Sequence, residues 1–117
     1  MKVETVYKVA VSVPEDFLEK VMDAVTEAIE PLYPGYDRVF SYWPVTGTWR
    51  PLSGSHPYDG KIGTISVEPE VHLEFAVRGE YLYDAVEAVR REHPYEEPAI
   101  DVIPMVAWKS ITPSDGR

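Results

Sequence analysis

Two stretches of strict two-residue alternation are each followed at once by a stretch of helical periodicity, and this repeated pairing leaves few folds open. In the first, Val3, Thr5, Tyr7, Val9, Val11 and Val13 alternate with Glu4, Val6, Lys8, Ala10 and Ser12. Pro14 then fits the first helical position and Glu15 and Asp16 suit the positive end of a helix dipole. With Phe17, Val21, Ala24, Val25 and Ala28 at helical spacing, they predict a helix over 14–30. In the second, Val71, Leu73, Phe75 and Val77 alternate with His72, Glu74, Ala76 and Arg78. Leu82, Ala85, Val86 and Val89 then line one face of a helix that Pro94 closes. An aromatic-rich strand over 37–43, with Pro44 at its end or at a bulge, and a last strand over 99–107 complete the order.

Strand, helix, strand, strand, helix, strand is a pair of split β-α-β units, the ferredoxin-like α+β pattern: an antiparallel sheet with two helices on one face. The other face must meet water or a second subunit. Phe40, Tyr42, Trp43 and Trp49 favour the subunit, because aromatic residues are enriched at interface cores. A chain of 117 residues fits one domain, 1–108, followed by a polar tail, 109–117, that is expected to fray. Residues 44–70, between the middle strands, far exceed the roughly 12 to 15 at which structureless loops become uncommon. Thr46-Gly47-Thr48-Trp49-Arg50 and Ile62-Gly63-Thr64-Ile65-Ser66-Val67 are predicted to pair there as a smaller hairpin around a turn near 53–60.

Twenty acidic against eleven basic residues give a net charge of −9, with no basic run longer than Arg90-Arg91. Such a balance excludes nucleic acid as a partner and favours solubility and cations. The absence of cysteine rules out disulfides, thiolate metal sites and cysteine nucleophiles. No apolar run approaches the roughly 20 residues of a membrane span. Glu4 and Lys8 interrupt the apolar start, so no signal peptide is expected and the location is taken as cytoplasmic.

Titratable groups concentrate in His93-Pro94-Tyr95-Glu96-Glu97-Pro98. His93 and Glu97 have the spacing of helical metal ligands, but Pro94 and Pro98 forbid that helix and make the segment an extended corner. His93 is then expected to cap the last carbonyls of the second helix as an imidazolium. Tyr95 should pack on the helix end or on a neighbouring subunit, with Glu96 and Glu97 accepting hydrogen bonds from amides of the long loop. His56-Pro57-Tyr58-Asp59 echoes the corner inside that loop. If the loop folds back, His56, His93 and Glu97 become a candidate site for Zn, Cu or Ni, with His72, Glu68 or Asp101 to complete it. Thr46-Gly47-Thr48 and Ser53-Gly54-Ser55 lack the lysine and helix of a phosphate loop and read as tight hairpin turns. No serine sits in a nucleophile-elbow sequence.

Four segments carry a family resemblance: Val13-Pro14-Glu15; Gly35-Tyr36-Asp37-Arg38; Gly47-Thr48-Trp49-Arg50-Pro51 with Pro57-Tyr58-Asp59-Gly60; and His93-Pro94-Tyr95-Glu96-Glu97-Pro98-Ala99-Ile100-Asp101. In these the chain resembles the inserted domain of YqfO-type proteins, a group known as type 2 GTP cyclohydrolase homologues. The resemblance implies a fold similar to the trimeric CutA and PII modules. It also implies a stand-alone insert, since the flanking sequences that carry the family's two metal ions are missing, and with them the grounds for a hydrolase activity. Where relatives often have a cysteine after Tyr-Asp-Arg, this chain has Val39.

The sequence therefore favours a non-enzymatic, trimeric ligand-binding or regulatory module. Its site, at subunit clefts bordered by the long loop and the His93 corner, would comprise His93, Tyr95, Glu96, Glu97, His56 and Tyr58, and its partner would be a small ligand, a cation or a protein. The alternative is a protein or enzyme that holds a divalent metal ion through His93, His56 and Glu97. A third use is as a structural partner of a larger metalloprotein.

Overall fold

In the computed structural model, which describes residues 2–112, the two alternating stretches become the two central strands. β1 is Thr5–Val13, α1 Glu15–Ala28, β2 Ser41–Trp49, β3 Ser66–Arg78, α2 Leu82–Glu92 and β4 Ile100–Val106. The strands lie in the order β2-β3-β1-β4 with every neighbouring pair antiparallel, the ferredoxin-like arrangement expected from the periodicity. Alternation decides which side chains meet the helices. Val9, Val11 and Val13 of β1 and Leu73, Phe75 and Val77 of β3 are buried against Leu18, Val21 and Val25 of α1 and Ala85, Ala88 and Val89 of α2. Each fully buried valine or leucine contributes about 1.5–3 kcal/mol by leaving water, so this single layer holds sheet and helices together.

The second strand departs from expectation. It starts at Ser41, not at residue 37, because Arg38 takes a left-handed φ of 54° that no strand residue adopts. Phe40 turns inward, its ring edge-on to Phe75 with centroids 5.6 Å apart. Nor does Pro44 end β2. The strand and the small hairpin expected beyond it are one continuous ladder running from Ser41↔Glu74 to Trp49↔Ser66. Prolines survive in these strands because none lies between two partners: Pro44 and Pro104 are on the edge strands β2 and β4, and Pro69 lies past the end of β1. Thr46-Gly47-Thr48 is consequently strand and not a turn. The turn sits at Leu52, whose carbonyl accepts both the backbone N–H and the hydroxyl of Ser55, at 3.1 and 2.8 Å, with Gly54 at a φ of 95°.

β1 pairs β3 only from Val71 onward, so the distal part of the hairpin projects past the sheet as an arm and the molecule measures 58 × 24 × 23 Å. At the other end the tail is not free at first. Trp108–Ile111 forms a 3-10 turn in which the Ser110 hydroxyl accepts the Glu4 N–H at 3.0 Å, while Ala107 N–H donates to the Glu4 carbonyl at 2.9 Å. The rest of the expected tail, 113–117, lies outside the described residues. Among the described residues no helix is long and apolar enough to cross a membrane.

Candidate functional site

Where α2 runs into Pro94 the helix must stop, since a proline disfavours helical geometry in the residue before it. His93 accordingly turns extended, at ψ 132°, and its backbone N–H closes the last turn on the Val89 carbonyl at 3.0 Å. Its imidazole does not cap the helix. It reaches across to β1, where Nε2 donates to the Ser12 carbonyl at 2.8 Å, while Nδ1 accepts the Tyr95 N–H at 3.2 Å. One nitrogen facing an acceptor and the other a donor fixes the neutral form with its proton on Nε2. Burial pushes the imidazole below its ordinary pKa, and the Ser12 carbonyl and the Glu70 carboxylate only partly oppose it. The expected imidazolium is thus replaced by a neutral clamp between the helix end and the sheet.

The clamp aims Tyr95. Its hydroxyl donates to Glu70 Oε2 at 2.6 Å. Burial first, then the Glu70 carboxylate, with Asp59 and Glu68 adding smaller pushes, raises the phenol far above its usual range and keeps it a donor. Glu70 itself is only 8% exposed. Its other oxygen lies over Gly47 of β2, where any Cβ would run into the carboxylate. Glycine at that strand position is what leaves room for a buried acid.

The loop at the end of the arm folds back onto this corner, as the shared His-Pro-Tyr pattern anticipated, but it does so through its backbone. His56 N–H donates to Glu96 Oε1 at 2.9 Å. The Trp49 indole N–H donates to the Asp59 carbonyl at 3.1 Å. Trp49 and Tyr95 have ring centroids 5.4 Å apart, Tyr58 and Tyr95 6.0 Å, and Tyr58 meets Phe17 of α1 edge-on at 5.9 Å. Between arm and corner these contacts enclose a cleft of about 450 Å³, within the roughly 300–1,000 Å³ of small-molecule sites. A second hollow, beside Phe40 and Phe75, holds only about 50 Å³.

Of the expected site residues, Tyr95, Glu96, Glu97 and Tyr58 line the cleft. His93 stands behind it, and the His56 side chain is exposed and outside the lining. Glu96 takes its expected loop amide; Glu97 takes none among the described residues. The metal set does not assemble. His93 spends both ring nitrogens on backbone groups, and no group of three His, Asp or Glu side chains able to hold an ion forms among the described residues. His72, a proposed supplement, lies on the sheet face away from the helices, 3.3 Å from the Ser12 hydroxyl and 3.1 Å from Glu74. There Lys8 sits 3.3 Å from Glu74 and the Trp43 ring 4.8 Å from the imidazole. Glu74 is held below the usual carboxylate range: burial pushes it up, but the hydrogen bonds and charges of His72 and Lys8 together outweigh that. Among the contributors that escaped the sequence are Glu70, Gly47, the buried Pro51, and Trp49 in a cleft-lining role. The signal available for Glu70 was its position, an acid wedged between Pro69 and Val71 where apolar alternation begins.

A Staphylococcus epidermidis GTP cyclohydrolase 1 type 2 homolog is 31% identical over 99 residues, covering 85% of this chain and 27% of its own length. A Listeria innocua protein of the same name is 37% identical over 97 residues, 81% of this chain and 26% of its own. The chain is a homologue of the GTP cyclohydrolase 1 type 2 homologs. It spans about a quarter of the length of those relatives. A Bacillus cereus protein related to NIF3 superposes with a TM-score of 0.75 at 28% identity, over 90% of this chain and 27% of that one. The periplasmic divalent cation tolerance protein CutA of Archaeoglobus fulgidus gives 0.63 at 16%, over 86% and 83%. The B. subtilis GlnK–ATP complex gives 0.57 at 13%, over 86% and 83%. These last two share the fold with this chain over most of their own length. No protein-family model matches the chain.

Proposed function

We propose that this chain is an oligomeric module that binds a small organic molecule, without transforming it, in the cleft between the hairpin arm and the 93–98 corner. The observation that carries this is the cleft itself: one chain supplies aromatic walls, two pinned carboxylates and a volume of ligand size. Its polar groups are fixed by one another through Tyr95–Glu70 and His56–Glu96, which suits recognition, whereas a general acid or base needs a group free to exchange its proton. In a nuclear magnetic resonance screen of small organic fragments, binders should shift amide resonances of residues 47–59 and 95–99. A broad library that moves none of them would sink the proposal.

Self-association has its own support. Trp43 and Ile103 stand exposed on the sheet face that the helices leave open, and both edge strands carry further exposed apolar side chains, Tyr42 on β2 and Val102 and Val106 on β4. Such edges and patches call for a partner. Two of the four aromatic residues expected there are otherwise engaged, Phe40 with the core and Trp49 with the cleft. The resemblance to CutA and PII modules makes the expected assembly three chains. Light scattering at micromolar concentration should return three times the mass of 13.3 kDa, and a monomer would exclude it.

A further inference from the structure

Four carboxylates line the cleft, those of Asp59, Glu70, Glu96 and Glu97, against one guanidinium, that of Arg50. None of the four is in an ion pair among the described residues, although six other close charge pairs are formed elsewhere on the chain. Glu70 is the telling member. Its side chain is more than nine-tenths buried and receives a hydrogen bond on Oε2 alone; Oε1 has no donor among the described residues and, not being fully buried itself, stays open beside Gly47 and the cleft. A carboxylate has about four acceptor sites, so an accessible oxygen beside a buried hydrogen bond can still take a donor from a ligand. The same cleft is lined by the rings of Trp49, Tyr58 and Tyr95, and aromatic faces attract a cation as well as an apolar surface. Tyr95 stays a neutral donor and does not add a competing anion. A bare metal ion would need three or more converging ligands, which these side chains do not provide.

Resting on the ligand-binding proposal above, we propose that the cleft is a site for a small organic cation: an ammonium, guanidinium or amidinium group on a flat or apolar body. The charged end meets Glu70, and the body lies among Trp49, Tyr58 and Tyr95. A charge-assisted hydrogen bond to Oε1 joins the two, and the partial burial of the carboxylate strengthens it. Glu97 and Asp59 add attraction at the mouth, where the net charge of −9 already draws cations.

The test uses the full chain and three probes of one shape: benzamidine, a cation; benzamide, neutral; and benzoate, an anion. Calorimetry should show benzamidine saturating one site per chain, at least ten times tighter than benzamide, with benzoate silent. Glu70→Gln keeps size and an acceptor but removes the charge, and should weaken benzamidine tenfold or more. Glu80→Gln, remote from the cleft, should leave it unchanged. Because Glu70 also holds Tyr95, Tyr58→Ala serves as a second variant: this half-exposed ring is no part of the core, and its loss should weaken benzamidine several-fold. Equal affinity for benzamide or benzoate, or unaltered benzamidine binding in both variants, overturns the assignment. So does the absence of saturation up to about 10 mM. If benzamide or benzoate binds with shifts at Trp49 and Tyr95, the cleft remains a ligand site and only its preference for cations is lost.

Discussion

Replacing His93 with alanine should lower the unfolding free energy by about 2 kcal/mol, since it takes the hydrogen bond from two part-buried partners at about 1 kcal/mol each. The Ser12 carbonyl loses the Nε2 proton and the Tyr95 N–H loses Nδ1, on the removal of a side chain that is itself only 6% exposed. The same clamp makes stability fall in acid. In the folded chain burial holds the imidazole below its ordinary pKa, whereas the unfolded chain titrates near 6.5. Above pH 6.5 both states are neutral and the full contribution is present. As the pH drops below 6.5 the unfolded state takes up the proton first, so stability is lost at up to about 1.4 kcal/mol per pH unit until the folded imidazole also charges. Urea unfolding across pH 5 to 8 should show this slope in the native protein and a flatter one in His93→Gln, whose amide has no such proton to gain. An equal slope in both would assign the acid sensitivity elsewhere.

Much of the fold was legible because its signals are local. The alternation of 71–77 and the helical spacing of 82–89 each span only a few residues, and no distant contact contradicts them. The β2–β3 arm was harder. Pro44, Gly47 and Pro69 are ordinarily breakers, and only the sheet order shows that each prolyl nitrogen lies where no second strand needs a donor. At the corner the prolines correctly announced an extended joint. What the imidazole would do there depends on the Ser12 carbonyl, 81 residues away in sequence, and no spacing within the motif encodes that partner. The metal set failed for the same reason: its three members are near in pattern, but in space one is spent on backbone and another points to solvent.

Tyr95→Phe should cost about 2 kcal/mol, the usual range for a hydrogen bond to a charged group being about 1.5–3 kcal/mol. The loss leaves Glu70 Oε2 without its donor while the carboxylate stays 8% exposed. An exposed pair of the same residues would give at most about 1 kcal/mol, so the size of the effect itself reports the burial. Replacing both partners should restore most of the loss, because an apolar pair desolvates no charge: Tyr95→Phe with Glu70→Leu is expected to be more stable than Glu70→Leu or Tyr95→Phe would predict by addition. Leucine also branches at a position where the glutamate chain crosses Gly47, so some of the gain returns as crowding against β2. Urea midpoints for the four proteins of this cycle measure the coupling, and simple additivity would mean that the 2.6 Å contact does not hold arm and corner together. If the coupling is found, the cleft is pre-formed. The same bond that joins β3 to the helix-to-strand corner then leaves one oxygen of Glu70 facing the cleft, and binding there need not order the arm first.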